Sequence, residues 1–404
     1  MSALVDLVLG IVTSIGGFVE AGSISTAAQA GSEFGYQLLW AVAVATLMVA
    51  MLIEMSGRLA AVSKRPLAAA VRERFGIHFQ IVPLAAEMVI DVLLLAAEIG
   101  GVAIAVKLVT GAGFVRWILP IGGAVWIVLW LFGFGVIEYG IGLLGLVTLS
   151  FVVSAWMLKP DYADVARSLV PSLPHDDYLR YAFLAVTIIG ATVSPYLLNF
   201  YSSGTVEEKL TEDKLWINTA TAYAGMCFGG VVSMGVLVTS ALTLGPRQIV
   251  VDSYEQAALM FVQPYGHYAI PLFAMALGVG CFGAAVELSL NSGYVAAQVF
   301  GWSWGADKAR TEAARFTAAF TIVLVTALVL GLIGFDPLRL TLLSVALTVV
   351  IMPAVVLPFL ILMNDERYVG DHKSGPIGNG VLAAMTILGA LFALLIVPLE
   401  IFGG

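Results

Sequence analysis

Long apolar runs separated by short polar loops constrain this chain more than any other feature of its sequence. A helix needs about 20 apolar residues to cross the hydrocarbon core of a bilayer, and the 404-residue chain has runs of that length along its whole length. Of its residues, 60% are hydrophobic and 11% are charged. A soluble domain of this size cannot keep so much apolar side chain out of water. The sequence therefore predicts an all-α membrane protein surrounded by a lipid bilayer.

Eleven of these runs are predicted to be membrane-spanning helices. They lie near residues 4–31, 34–63, 80–109, 115–136, 137–158, 179–204, 213–243, 267–300, 312–334, 338–363 and 377–402. The first run has no clear cleavage site, so we expect a retained span and not a signal peptide. The loops are too short to fold alone, and residues 1–404 are predicted to form a single transmembrane domain in a cell membrane.

Basic residues predict how the chain is oriented in the membrane. With the N-terminus in the cytoplasm, most of the 19 Lys and Arg residues fall on the inner side, including the densest group at 64–74. Cytoplasmic loops carry such an excess of positive charge. We therefore expect a cytoplasmic N-terminus and, after eleven spans, an extracytoplasmic C-terminus. No basic tract indicates a nucleic-acid partner.

Two of the predicted spans contain residues that interrupt a helix. The first is interrupted at 20–23 (Glu-Ala-Gly-Ser) and the sixth at 194–196 (Ser-Pro-Tyr), with Gly22 and Pro195 as the expected breaks. Paired broken helices are typical of transporters built from inverted repeats. The separation of five spans predicts two five-helix repeats of opposite topology, at about 4–158 and 179–363. An extra helix follows at about 377–402.

Glu20 is the leading candidate for a functional residue. A charge inside a bilayer is costly, so an ionisable group there is a functional candidate by default. A carboxylate beside backbone carbonyls freed by a break, and beside hydroxyl groups, makes a cation site. No Lys or Arg is expected near the two breaks, which favours a small cationic substrate over an anion. In the alternative interpretation, Glu20 simply ends a helix near the membrane surface and Pro195 produces a kink without a ligand.

The third span carries three acids on one helical face, because Glu87, Asp91 and Glu98 are separated by four and seven residues. Such a stripe could relay protons or cations across the membrane. Equally, hydrogen bonds within the bundle could hold the three acids without any transport role. The chain has no visible set of nucleophile and base, so we expect a transporter and not an enzyme, with no cofactor.

Four segments carry a family resemblance. They are AGSEFGYQLLW at 30–40, Ala97-Glu98 with the apolar run after it, GATVSP at 190–195, and MPAVVLPFLILMNDERYVG at 352–370. They resemble the natural-resistance-associated macrophage protein (Nramp) family of metal-ion transporters. The resemblance implies a LeuT-like fold of two inverted five-helix repeats plus an eleventh helix. It also implies alternating access and proton-coupled metal uptake.

The same resemblance locates the expected ion site and shows where this chain departs from the family. The family's Asp-Pro-Gly-Asn motif reads Glu-Ala-Gly-Ser at 20–23, its methionine and histidine align with Ser194 and Tyr196, and a third-helix aspartate aligns with Leu95. The metal ligands that the alignment implies are Glu20, Ser23, Ser194 and the carbonyl of Ala191, with Tyr196 also lining the site.

Loss of the thioether leaves oxygen ligands, which suit hard ions such as Mg²⁺ or Mn²⁺. A single carboxylate is also compatible with a non-metal substrate, either an organic or a monovalent cation. A sensor that binds on this fold without transport is a further alternative. Loss of the third-helix aspartate leaves proton coupling open.

Overall fold

Helices form every regular element in the described part of the chain. The computed structural model describes residues 20–172, 174 and 177–402, and only the backbone of residues 392–402. In chain order, the α-helices are α1 (Ala21–Phe34), α2 (Leu39–Ser63), α3 (Leu67–Phe75), α4 (Ile77–Thr110), α5 (Val115–Leu131), α6 (Phe134–Gly145), α7 (Leu149–Met157), α8 (Tyr162–Arg167), α9 (Tyr178–Thr192), α10 (Pro195–Glu207), α11 (Leu215–Thr243), α12 (Tyr254–Ala258), α13 (Val262–Tyr265), α14 (Ala269–Phe300), α15 (Ala314–Ile333), α16 (Pro337–Leu362), α17 (Glu366–Val369) and α18 (Pro376–Phe402).

Among the described residues, eight helical stretches are long and apolar enough to cross a membrane. Two shorter apolar helices, Val115–Leu131 and Pro376–Leu391, match the predicted fourth and eleventh spans. The prediction of an all-helical membrane protein is therefore confirmed. Residues 4–19 of the predicted first span lie outside the described part, and α1 supplies the rest of that span.

The turn between the fourth and fifth spans lies earlier than predicted. The predicted spans met at 136 and 137, but α5 ends at Leu131 and α6 begins at Phe134 and contains Glu138. The cause is a distant side chain: Oδ1 of Asp307 accepts a hydrogen bond from the backbone N–H of Phe134 at 2.9 Å. A carboxylate that binds a free amide starts a helix at that residue. The short helix α3, in the basic segment after Pro66, was not predicted.

Helix α1 packs with its backbone directly against α11. A Cβ atom at Gly31 would lie 2.2 Å from the carbonyl oxygen of Leu237, so only glycine allows this approach. The hydroxyl of Ser240 donates to the carbonyl oxygen of Ala28 at 2.6 Å. Small residues at a helix interface permit such close contact within a membrane, and α1 and α11 are therefore held as a pair.

Small residues of α4 likewise bring three helices around the start of α1. A Cβ atom at Gly100 would lie 2.4 Å from Pro337 of α16, and one at Gly101 would lie 2.6 Å from the sulfur of Cys281 on α14. The centre of the bundle is therefore built from α1, α4, α14 and α16.

The far end of α1 is tied to the start of α9 by an ion pair. The Arg180 guanidinium donates to both carboxylate oxygens of Glu33, at 2.6 and 2.8 Å. Nearby, the indole N–H of Trp40 donates to the hydroxyl of Tyr181 at 2.8 Å. These contacts connect α1, α2 and α9 at one end of the bundle.

Candidate cation site

The sixth predicted span is divided into two helices. Helix α9 ends at Thr192, Val193 and Ser194 have extended backbone, and α10 begins at Pro195. In a continuous helix the carbonyl of Ala191 would accept a hydrogen bond from the N–H of residue 195, but proline has no N–H. The last bond of this kind in α9 runs from the N–H of Val193 to the carbonyl of Ile189, at 2.9 Å. The break thus leaves the Ala191 carbonyl without its helical partner.

The Glu20 side chain lies at this break. Its backbone is extended, with φ −114° and ψ 175°, and α1 begins at the next residue. The carboxyl group is buried, with a residue exposure of 3%. The phenol hydroxyl of Tyr196, in the first turn of α10, donates to Oε2 of Glu20 at 3.0 Å. The two interrupted segments predicted from the sequence therefore meet at a buried carboxylate.

Gly22 and Ser23 lie in the first turn of α1, so the prediction of a helix break at Gly22 is wrong. The extended residue is Glu20, and glycine at position 22 provides space instead. A Cβ atom there would lie 3.2 Å from Oε1 of Glu20 and 3.6 Å from the Cβ of Ala191. The hydroxyl of Ser23 accepts from the Glu20 N–H at 3.1 Å and lies 3.0 Å from the Glu20 carbonyl oxygen. Ser23 therefore holds the backbone of Glu20 in place.

Ser194 supplies an unused hydroxyl at the break. The residue is 4% exposed, and its Oγ has no hydrogen-bond partner among the described residues. An unpaired polar atom costs free energy when it is buried. Together with the freed Ala191 carbonyl and the Glu20 carboxylate, this hydroxyl gives the break three kinds of oxygen donor.

Glu98 belongs to the same region, because both of its carboxylate oxygens accept from the Ala21 N–H at 3.2 Å. This is the first amide of α1, where the helix dipole favours a negative charge. On the other side of Ala21, the hydroxyl of Tyr254 donates to its carbonyl at 3.3 Å. Tyr254 comes from a loop helix, α12, and nothing in its sequence pattern pointed to this contact.

Acids dominate the electrostatics of the site. Glu287 of α14 is 4% exposed and lies close enough to Glu20 to interact with its charge. Glu98 interacts with Glu20 in the same way. Among the side chains that the structure describes as buried, none is a lysine or an arginine. The described surroundings of Glu20 are therefore acidic and contain no buried neutralising side chain, an arrangement that attracts cations.

Glu87 and Asp91 do not join this site. Asn199 of α10 donates to both Glu87 oxygens, at 2.9 and 3.0 Å. Asn291 of α14 donates to Glu87 at 3.0 Å and to Asp91 at 3.1 Å. The stripe predicted on α4 thus divides into Glu98, which contacts α1, and a second cluster held by two amides. The sequence placed the three acids on one face but gave no signal for their partners.

No group of three or more His, Cys, Asp or Glu side chains in the described ranges is arranged to hold a metal ion. A metal at Glu20 would therefore be held by one carboxylate together with hydroxyl, carbonyl and water oxygens. Mg²⁺ commonly binds in this manner, with one or two carboxylates and several retained waters.

The chain matches the family described as "Natural resistance-associated macrophage protein-like" over residues 10–398. A manganese transporter from Eremococcus coleocola, solved with an aromatic bis-isothiourea substituted compound, is similar with a TM-score of 0.83 at 19% identity, covering 100% of this chain and 88% of that chain. Mhp1, a nucleobase-cation-symport-1 family transporter, has a TM-score of 0.62 at 15% identity, with coverages of 96% and 90%. MhsT in complex with L-phenylalanine has a TM-score of 0.57 at 12% identity, with coverages of 96% and 97%. These likenesses establish the fold, and the predicted LeuT-like architecture is confirmed.

Proposed function

The chain belongs to the natural resistance-associated macrophage protein family of membrane transporters, and from this premise we propose that it carries a hard divalent cation, Mn²⁺ or Mg²⁺. Transport would be secondary-active and would proceed by alternating access. A transporter needs a site that exchanges between the two sides of the membrane, and interrupted helices at mid-bundle provide such sites in related folds.

The observation that carries the proposal is the position of Glu20. Its carboxylate is buried at the break between α9 and α10, beside the unpartnered hydroxyl of Ser194 and the freed carbonyl of Ala191. We assign these three groups as cation ligands. Tyr196 and Ser23 position Glu20 through its carboxylate and its backbone, respectively.

The ligand atoms favour a hard ion. Carboxylate, hydroxyl and carbonyl oxygens suit Mg²⁺ and Mn²⁺, whereas softer metals prefer sulfur ligands. The manganese transporter with the same fold is consistent with this choice. Protons are the proposed coupling ion. The acid proposed to carry them is Glu98, which contacts the first amide of α1 next to Glu20. For orientation, we propose a cytoplasmic N-terminus and an extracytoplasmic C-terminus.

One observation favours a second candidate function. The described residues include no metal-binding group of three or more acidic, His or Cys side chains, and Glu20 is the one carboxylate that we assign as a ligand. That matches a singly charged organic cation, which needs one carboxylate and an apolar, aromatic surround. Two buried aromatic residues contact this segment: Tyr196 donates to the carboxylate of Glu20, and Tyr254 donates to the carbonyl of Ala21.

Proteoliposome uptake distinguishes the two functions. We expect wild-type protein to accumulate Mn²⁺ or Mg²⁺, and Glu20→Gln to lower calorimetric affinity by at least about tenfold, since it removes the carboxylate that we assign as a ligand. Glu312→Gln, an exposed acid on the loop before α15, is the matched control and should behave as wild type.

Uptake of an organic cation such as tetramethylammonium, without Mn²⁺ or Mg²⁺ uptake or binding, would transfer the assignment to the second function. Binding of a divalent ion without flux into liposomes would indicate a sensor.

A further inference from the structure

Glu287 is a buried acid for which the proposed ligand set has no role. It lies within α14 and is 4% exposed. Four other acids in the described part of the chain are buried to the same degree, and each accepts at least one hydrogen bond: Glu20, Glu87, Asp91 and Glu98. Glu287 has neither a hydrogen bond nor an ion pair with any described residue. Of these five buried acids, it is therefore the one without a donor.

The polar neighbours of Glu287 along α14 bind elsewhere. Asn291, one turn later, donates its side-chain amide to two acids of α4. The hydroxyl of Ser289 donates to the carbonyl of Ala285 within the helix, at 2.7 Å. A buried charge without a partner is costly. An acid kept in this state inside a membrane protein indicates a partner that the protein binds from outside.

Contacts on both sides of Glu287 define its level in the bundle. A Cβ atom at Gly101 of α4 would lie 2.6 Å from the sulfur of α14 that is six residues before Glu287. One turn after Glu287, Asn291 binds Asp91 of α4 at 3.1 Å. The two helices are therefore antiparallel, and Glu287 lies between these contacts at the level of Leu95. Because leucine is apolar, α4 provides no polar partner at that level.

This stretch of α14 lies beside the proposed cation site. Helix α14 packs against α1 and α10, the two helices that begin at the break. The charge of Glu287 is within range of both Glu20 and Tyr196, whose carboxylate and phenol are joined there by a hydrogen bond. No lysine or arginine among the buried described side chains neutralises Glu287. A cation placed at Glu20 would therefore be attracted by a second carboxylate, from α14.

We infer that Glu287 is the second acid of the cation site and that it makes this site selective for divalent cations. The inference rests on the proposed function, since it takes Glu20 as the first acid. Two carboxylates match the charge of Mn²⁺ or Mg²⁺, whereas a singly charged organic cation would leave one of them uncompensated. Mg²⁺ usually keeps several waters when it binds, so Glu287 acts on the charge of the cargo without having to be a direct ligand.

Binding calorimetry on the purified full-length protein tests this role with two probes, Mn²⁺ and tetramethylammonium. Glu287→Gln keeps the shape of the side chain and removes its charge. Coulomb energy is proportional to the charge of the cargo, so the fold-loss of affinity for a divalent ion is the square of that for a monovalent ion. We expect Glu287→Gln to weaken Mn²⁺ binding by at least about tenfold, and a tenfold loss corresponds to only about threefold for tetramethylammonium.

Two further variants separate charge from packing. Glu287→Asp keeps the carboxylate on a shorter side chain, so its Mn²⁺ affinity should stay closer to wild type than that of Glu287→Gln. Glu312→Gln removes an exposed negative charge and should bind both probes as wild type does. Without metal, Glu287→Gln should melt at the same temperature as wild type or higher, because it removes an uncompensated buried charge.

The possible results distinguish this inference from the proposed function. Equal Mn²⁺ affinities for Glu287→Gln and wild type overturn the inference and leave the proposed function in place. An equal loss for both probes, or a lower melting temperature of metal-free Glu287→Gln, also overturns it, because the side chain would then act through packing. If wild type binds neither Mn²⁺ nor Mg²⁺, the proposed function fails and the inference fails with it.

Discussion

The phenol oxygen of Tyr196 lies 3.0 Å from Oε2 of Glu20, although 176 positions separate the two residues in the chain. This contact joins the extended residue before α1 to the first turn of α10. It gives the carboxylate a fixed direction in the bundle, because a hydrogen bond to an ionised group is stronger than one between neutral groups. The proposed cation site depends on that direction.

Tyr196→Phe should weaken cation binding without unfolding the protein. The variant keeps the ring but leaves the ionised carboxylate, the form that binds a cation, with one donor fewer. A hydrogen bond to a charged group contributes about 1.5–3 kcal/mol, so we expect a loss of roughly tenfold or more in Mn²⁺ affinity by calorimetry. Tyr265→Phe is the control, since its hydroxyl binds the carbonyl of Ser150 away from the site. Equal affinities for Tyr196→Phe and wild type would contradict the role assigned to the phenol.

Gly22→Ala should lower cation affinity without lowering thermal stability. Alanine favours a helix over glycine by up to about 1 kcal/mol, so the melting temperature should hold or rise. The new methyl group, however, would lie 3.2 Å from Oε1 of Glu20 and displace it, which lowers cation affinity. Gly123→Ala, in α5 with open space around its position, should leave affinity unchanged. A Gly22→Ala protein that binds Mn²⁺ as tightly as wild type would show that the space beside Oε1 is not used.

Pro195→Ala tests the freed carbonyl. The substitution returns an N–H that can donate to the Ala191 carbonyl and allows α9 to continue into α10. We expect weaker cation binding and slower uptake, with unchanged or higher thermal stability. Pro120→Ala, at an exposed position within α5, is the matched control and should not affect binding. Unaltered uptake by Pro195→Ala would remove Ala191 from the ligand set.

The ion pair between Glu33 and Arg180 should contribute more stability than a surface pair. Its two hydrogen bonds form at partly buried side chains, with exposures of 16% for Glu33 and 35% for Arg180. The pair between Asp164 and Arg167 is much more exposed, at 53% and 76%. Exposed pairs contribute about 0–1 kcal/mol, so Asp164→Asn should barely change the melting temperature, whereas Glu33→Gln should lower it clearly. Similar shifts for the two variants would contradict this ranking.

Composition and apolar runs were sufficient to predict the membrane fold, because a span needs a minimum apolar length whatever its neighbours are. Family membership also confirms the prediction of a transporter and not an enzyme. The first and last residues of individual helices could not be predicted from apolar length alone. Helix α6 starts at Phe134 because the distant Asp307 binds its amide, and no local pattern encodes such a contact.

The candidate site was predictable only in part for a similar reason. Helical spacing placed Glu87, Asp91 and Glu98 on one face, but spacing does not reveal which neighbouring helix each acid meets. In the structure, Glu98 contacts the start of α1, whereas the side-chain amides of Asn199 and Asn291 bind the other two acids. The prediction of a break at Gly22 relied on the low helix propensity of glycine. In the structure, the missing side chain of Gly22 instead leaves space beside Glu20. The division into repeats at about 4–158 and 179–363 stays a prediction.

The contact at Gly31 also limits how this molecule can move. With the Leu237 carbonyl occupying the volume where a side chain would be, α1 cannot slide along α11, and the two must travel as one rigid unit. Under the proposed alternating access, a movement that opens Glu20 to an aqueous phase would therefore bend the chain where α1 begins. The residue there is Glu20, whose extended backbone directly precedes α1, so the residue proposed to hold the cargo would also lie at the hinge.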